Sequence, residues 1–221
     1  LDRATFTAHY APMKSISRRA AFTTTLLLIL TSLTSWPTPA KADPAPATTT
    51  VAAYHAGILN ALKSDDAKSV NGRFDLFAPV MDAAFDFQTM IKTVAGQHWR
   101  KADAADQEVL RDAFRRVSIA TYANRFKDLP SDAAFIIQDV KDGPRRMKLV
   151  ESTLNAGKDP AALTYVVRNT EAGWRIIDVL LDGGISELAL RASEYARTLE
   201  SGGAAALQAT LNAQADGLLK P

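Results

Sequence analysis

The chain has 221 residues, 47% of them hydrophobic, with no Cys and a formal charge of +2, which is enough apolar material for one core of ordinary size or at most two small ones. Without Cys there is no disulfide framework, thiolate zinc site, iron–sulfur cluster or cysteine nucleophile. Residues 1–42 hold five bases and one acid, leaving 21 bases against 23 acids in the rest; a slightly acidic body with scattered Lys and Arg has no electrostatic footprint for nucleic acid, which drops out as the main partner.

Lys14, Arg18 and Arg19 precede an apolar run over residues 20–33, and Ala40-Lys41-Ala42 follows Trp36-Pro37-Thr38-Pro39. A cationic start, a short apolar stretch and small residues at a cleavage site form the secretory pattern, with cleavage expected after Ala42. Thr23, Thr24, Thr25, Thr31 and Ser32 interrupt the run, so a cleaved signal peptide is favoured over a membrane anchor, which wants about 20 strongly apolar residues. Met13 could be the true start, making residues 1–12 an upstream extension. The expected division is a signal peptide over 1–42, a flexible tether over 43–50 and one folded domain over 51–218. The mature protein is expected outside the cytoplasm, in the periplasm if the source is Gram-negative.

Apolar residues at Val51, Tyr54, Ile58, Leu59 and Leu62 recur with a helical period. Residues 74–95 predict two helices meeting near Phe85-Asp86-Phe87, the second stopped by Gly96. Asp103 should cap a long helix to about residue 128, with Leu110, Ala113, Phe114, Val117 and Thr121 as its core stripe. After Pro130 come four β-rich runs, over 133–141, 145–154, 161–170 and 174–182, separated by short turn signals. Short connections between successive strands imply an antiparallel meander. A helix is expected over 185–199 and another after Gly202-Gly203. The fold class is α+β: a single domain with N-terminal helices, a four-stranded antiparallel sheet and C-terminal helices against one sheet face.

In the third run Leu163, Tyr165 and Val167 share a side; in the fourth, Ile177, Val179 and Leu181 oppose Trp174, Ile176, Asp178 and Leu180. That last strand is apolar on both faces over 176–181 apart from Asp178. The residues alone favour a solid core over a dry cavity.

Of the three His, His55 and His98 lie beyond the expected cleavage site, without partners at metal-ligand spacing, and are expected at the surface or at caps. Ser186 is expected to be an N-cap, because Gly184-Ile185-Ser186-Glu187-Leu188 lacks the second Gly of a nucleophile elbow. Asp82 and Asp86 are expected in ion pairs or caps in preference to catalysis. A carboxylate inside an apolar strand is costly unless paired, so Asp178 is expected to meet Arg191 on the following helix, with a ligand contact as the alternative. Tyr122, Tyr165 and Tyr195 are core residues on the plainer reading and hydroxyls at a pocket mouth on the other.

Phe85-Asp86-Phe87 with Met90, Gly96-Gln97-His98-Trp99-Arg100, Thr121-Tyr122-Ala123, Tyr165-Val166-Val167-Arg168, Gly173-Trp174-Arg175-Ile176-Ile177-Asp178-Val179, and Gly184-Ile185-Ser186 leading to Arg191 and Ser193-Glu194-Tyr195 stand in an order that resembles the MlaC, or toluene-tolerance, family of ABC-transporter auxiliary proteins over about residues 50–218. The segment over 181–195 looks like the hopanoid-associated branch of that family. The resemblance implies a periplasmic lipid carrier that is not an enzyme, with a curved sheet and helices enclosing an apolar cavity, which reverses the preference for a solid core. It implies a hopanoid or phospholipid ligand, transient contact with membrane-bound lipid transport proteins, no cofactor and a monomeric state. The lining of that cavity is expected from among Phe85, Phe87, Met90, Phe114, Val117, Tyr122, Ile137, Val150, Tyr165, Val167, Ile177, Val179, Leu181 and Leu188. A lipid phosphate then becomes the alternative partner for Arg191. The competing class is an exported enzyme using Asp82, Asp86 or Asp178 with a Tyr as acid and base.

Overall fold

Residues 44–182 and 184–220 are described by a computed structural model, and the expected signal peptide lies outside them. The first element, α1 (Pro44–Ala61), takes in residues 44–50 of the stretch expected to be a tether. Proline fits the first turn of a helix, where its missing N–H had no intrahelical acceptor. Ala47 and Val51 are fully buried and continue the stripe of Tyr54 and Ile58. The tether reading failed because small Ala47 still has a core to enter.

Helix α2 (Val70–Ala84) is capped by Ser69, whose hydroxyl accepts from the Gly72 N–H at 2.9 Å. As expected, a second helix, α3 (Phe87–Ala95), starts after Phe85-Asp86, with Asp86 accepting from the Thr89 N–H at 2.9 Å. Gly96 ends it at φ 52°, a conformation that costs glycine little. After the short α4 (Gln97–Lys101), Asp103 caps α5 (Ala104–Arg125).

The sheet is an antiparallel meander of β1 (Ala134–Asp142), β2 (Lys148–Asn155), β3 (Ala161–Thr170), β4 (Gly173–Leu181) and β5 (Ile185–Ser186), in that spatial order. The fifth strand corrects the expected four. Beyond β4 the chain runs back along it, Ile185 opposite Leu181 and Ser186 opposite Leu180. Helix α6 (Glu187–Leu218) therefore begins later than expected, with Ser186 as its N-cap.

Alternation holds on β2, where every second residue from Lys148 to Leu154 is buried. It breaks on β4. Val166 pairs with Asp178 but Val167 pairs with Ile176, so Ile177 is an extra residue in the ladder, as in a β-bulge. Trp174, Ile176 and Val179 are buried, whereas Ile177 is half-buried. The expected grouping of Ile177 with Val179 and Leu181 is thus wrong: the bulge shifts the phase by one, which is why the strand looked apolar on both faces. A second irregularity lies between Ile137 and Asp139 on β1.

Within α6, Gly203 has φ 62° and ψ −150°, a region open only to glycine. The Tyr195 hydroxyl donates to Gln214 at 2.7 Å, yet nineteen residues of straight helix would separate them by about 28 Å. The helix must reverse at Gly203, making two arms that pack side by side. The break expected at Gly202-Gly203 is therefore a helical hairpin.

One core joins helices and sheet, with Tyr54, Phe77, Met81, Ile91, Phe114, Ile176, Tyr195 and Leu207 among its fully buried side chains. The linker between α2 and α3 docks on the sheet, Phe85 bridging Ile176 and the Asp86 N–H donating to the Ile176 carbonyl at 2.9 Å.

Candidate functional site

Two hollows meet where the end of α5 faces the end of β4. The first is an apolar recess of about 320 Å³ walled by Tyr122, Phe126, Leu129, Leu154, Leu163, Tyr165, Val179 and Leu181. The second is a more open cleft of about 550 Å³ between α5 and both arms of α6, carrying Arg125, Glu187, Arg191, Glu194, Tyr195 and Gln214. Leu181 and Arg125 belong to both. A chain lying in the recess can therefore continue into polar surroundings.

Charged groups mark the junction. Arg125 donates to Glu187 at 2.7 Å, and the Tyr122 hydroxyl donates to the other oxygen of Glu187 at 3.2 Å. Burial works against the Arg125 charge, but Glu187 beside it more than offsets this and holds its pKa above the ordinary value. Burial also raises the hydroxyls of Tyr54, Tyr122 and Tyr165, so all three are neutral.

Behind the recess lies a histidine in an aromatic setting. His55 is only 5% exposed, stacks on Phe135 at 4.2 Å between centroids and hydrogen-bonds the Tyr165 hydroxyl through Nε2 at 3.0 Å. The expectation of a surface or capping histidine is overturned, because β3 supplies a buried hydroxyl partner across the fold. Burial lowers its pKa to about 4, so the ring is neutral.

Asp178 does not meet Arg191. Its carboxylate accepts from the Ser186 hydroxyl at 2.6 Å, from the Leu188 N–H at 3.2 Å and from its neighbour Val179 N–H at 2.8 Å. The expected ion pair is corrected to a tie between β4 and the first turn of α6, whose free N–H groups favour an anion. Burial raises the carboxyl above its ordinary value, and these hydrogen bonds pull against that rise. Arg191 lies over the Phe114 ring at 5.8 Å and donates to the Tyr195 hydroxyl at 3.4 Å.

The other acids considered for catalysis are also engaged. Asp82 takes both arms of the Arg115 fork at 2.5 and 2.6 Å, and Asp86 caps α3 while accepting from Arg168 at 2.9 Å. Among the described residues no cluster of His and carboxylates has the makings of a metal site, and no helix is long and apolar enough to cross a membrane.

The residues expected at the ligand are distributed unevenly. Tyr122, Tyr165, Val179 and Leu181 line the recess, and Val117 lines the cleft. Phe114, Val150 and Val167 are fully or nearly fully buried, as are Met90 and Leu188. Phe85 and Phe87 border a separate shallow hollow beside Asp82 and Arg115. Ile137 packs partly buried on the core. Phe126, Leu129, Leu154 and Leu163 were missed. Leu163 had a signal in sharing a strand face with Tyr165, whereas Phe126 and Leu129 sit in the loop after α5, where no periodicity marks facing.

A family model described as MlaC protein matches residues 52–213. The chain belongs to the MlaC family. A solved structure of a phospholipid-binding protein from Ralstonia solanacearum, in complex with a phospholipid, is 22% identical, with a TM-score of 0.70, and the match covers 79% of this chain and 99% of that one. At that identity the likeness carries the MlaC fold, a helix layer on a curved antiparallel sheet. A comparison with curated proteins gives no match.

Proposed function

We propose that the protein is a periplasmic lipid-binding carrier that holds an acyl or polycyclic apolar chain in the recess and moves it between membranes. The observation that carries this reading is the apolar recess opening at Leu181 and Arg125 into a polar cleft, which gives an amphiphile a place for each of its ends. Each buried CH₂ contributes about 0.8 kcal/mol, so a chain of a dozen carbons supplies ample driving force. Membership of the MlaC family supports the reading, as does the phospholipid bound to the Ralstonia relative. The carboxylates weighed for catalysis are committed to a helix cap, ion pairs and the β4–α6 tie. The recess stands at the small end of ligand cavities, which suits one chain of a phospholipid and fits a rigid polycycle such as a hopanoid less well. The carrier works as a monomer handing lipid to membrane-bound transport partners.

Organic extraction of the purified protein followed by mass spectrometry tests the reading. Copurified lipid is expected. Leu163→Asp, on the recess wall, should remain folded and lose that lipid; a folded variant with the full complement would remove the recess from the proposal.

A further inference from the structure

In the cleft beside the recess, one cation stands apart from the others. Arg125 is engaged by Glu187, and Glu187 also accepts from Tyr122. Glu194 accepts from the Gln214 amide at 3.2 Å. Arg191 has Glu187 four residues before it and Glu194 three residues after it, the spacings at which helical ion pairs form. Neither pairs with it: among the described residues no carboxylate lies within ion-pair distance of Arg191. Its guanidinium instead rests on the face of Phe114, which is fully buried, and makes one long hydrogen bond to Tyr195. The Tyr195 hydroxyl is in turn fixed by donation to Gln214 on the opposite arm of α6. A guanidinium has five N–H donors, so most of this fork is unspent. It is nonetheless held by an aromatic face and a phenol.

We propose that Arg191 is the head-group residue of this site, receiving the phosphate oxyanion of the amphiphile whose chain lies in the recess. The inference rests on the carrier reading and deepens it. Arg191 and the recess wall meet through Leu181, which lines both hollows. The planar fork matches two phosphate oxygens in a way that a Lys would not. Charge selects further. Glu187 already engages Arg125, whereas Arg191 brings one positive charge that no acid engages among the described residues, and that single charge matches one negative charge on a ligand and not two. A phosphodiester fits that balance better than a doubly charged monoester.

The test uses lauroyl lysophosphatidylglycerol, monolaurin and inorganic phosphate as probes, titrated calorimetrically into delipidated protein below their micellar concentrations. The first two share a lauroylglycerol and differ by a phosphodiester carrying a second, uncharged glycerol. The native protein is expected to bind the lysophospholipid about tenfold or more tightly than monolaurin, as a charge-assisted hydrogen bond implies. Arg191→Met should bring the two within about twofold while leaving monolaurin binding unchanged. Arg191→Lys, which keeps the apolar stem over Phe114, should lose most of the preference and serves if the Met variant does not fold. Equal binding of both lipids by the native protein would overturn the head-group role and leave the carrier reading intact. Binding of neither would remove both. A preference that survives in folded Arg191→Met would place the phosphate elsewhere, and inorganic phosphate binding as tightly as the lysophospholipid would make Arg191 an anion site unconnected to a chain.

Discussion

Around Ile176 and Tyr165 the molecule is filled, and around Arg191 it is open. In the filled region α1, the α2–α3 linker, the start of α3, α5 and β3 bring Tyr54, Phe85, Phe87, Tyr122 and Tyr165 into ring contacts, with Tyr54 and Phe85 edge to face at 5.1 Å. Its histidine is neutral and bonded internally. In the open region the large apolar Leu190 is 54% exposed at the cleft rim, Arg125 is nearly half exposed, and Arg191 has no acid within ion-pair distance among the described residues. Stability is concentrated where every side chain meets protein, and binding capacity where some do not. The two sit about one side chain apart, because Tyr122 and Tyr165 belong to both the aromatic cluster and the recess wall.

The sharpest way to break that contrast is to empty the filled side. Phe85→Ala removes the ring that packs against Tyr54, Phe87 and Tyr122 and should cost about 3 to 5 kcal/mol in urea unfolding. A loss below 1 kcal/mol would mean that the linker collapses to fill the space and that the two regions are equally yielding.

The second test uses protons. Burial lowers the His55 pKa from 6.5 to about 4. The unfolded chain takes up a proton below about pH 6.5 that the folded protein refuses until about pH 4. This stabilisation is complete above pH 6.5 and is lost as the pH falls toward 4, amounting to about 3 kcal/mol. Asp178, whose carboxyl is raised by burial, acts with the opposite sign, so the His55 contribution is read by comparison. His55→Gln should flatten the slope of stability against pH over that window, and an unchanged slope would show that the histidine is not sealed.

A third test reaches the border. Ser186 both caps α6 and donates to Asp178. Ser186→Ala should cost about 1 to 2 kcal/mol, with Ser186→Thr recovering most of it. Equal stability of Ser186→Ala and the native protein in thermal unfolding would show that water replaces the hydroxyl at both acceptors. The smallest effect is expected on the open side: Leu190→Ser should leave stability within about 0.5 kcal/mol, and a larger loss would show that the cleft rim carries packing.

The sequence disclosed the filled side better than the open one, for a physical reason. Helix stripes such as Leu110, Ala113, Phe114 and Val117, the caps at Asp86, Asp103 and Ser186, and the hinge at Gly202-Gly203 are local features written in nearby residues. The bulge at Ile177 is not local. It exists because β3 and β4 pair two against one, and it moved half of a strand face. His55 was misjudged because its partner, Tyr165, is 110 residues away. Arg191 was matched to Asp178 by proximity in sequence, whereas the Ser186 hydroxyl and the Leu188 N–H at the start of α6 hold that carboxylate. Tertiary partners compete, and the sequence alone did not rank them.

The reversal at Gly203 has a consequence in time. In a chain delivered N-terminus first, Tyr195 arrives before Gln214, the residue that fixes its hydroxyl. By then the residues of the sheet, α5 and the first arm of α6 have been delivered, and the cleft has the residues for its floor but for only one bank. Of the described parts of the molecule, the second arm of α6 is therefore the last to arrive, and the binding cleft is finished after the core beneath it.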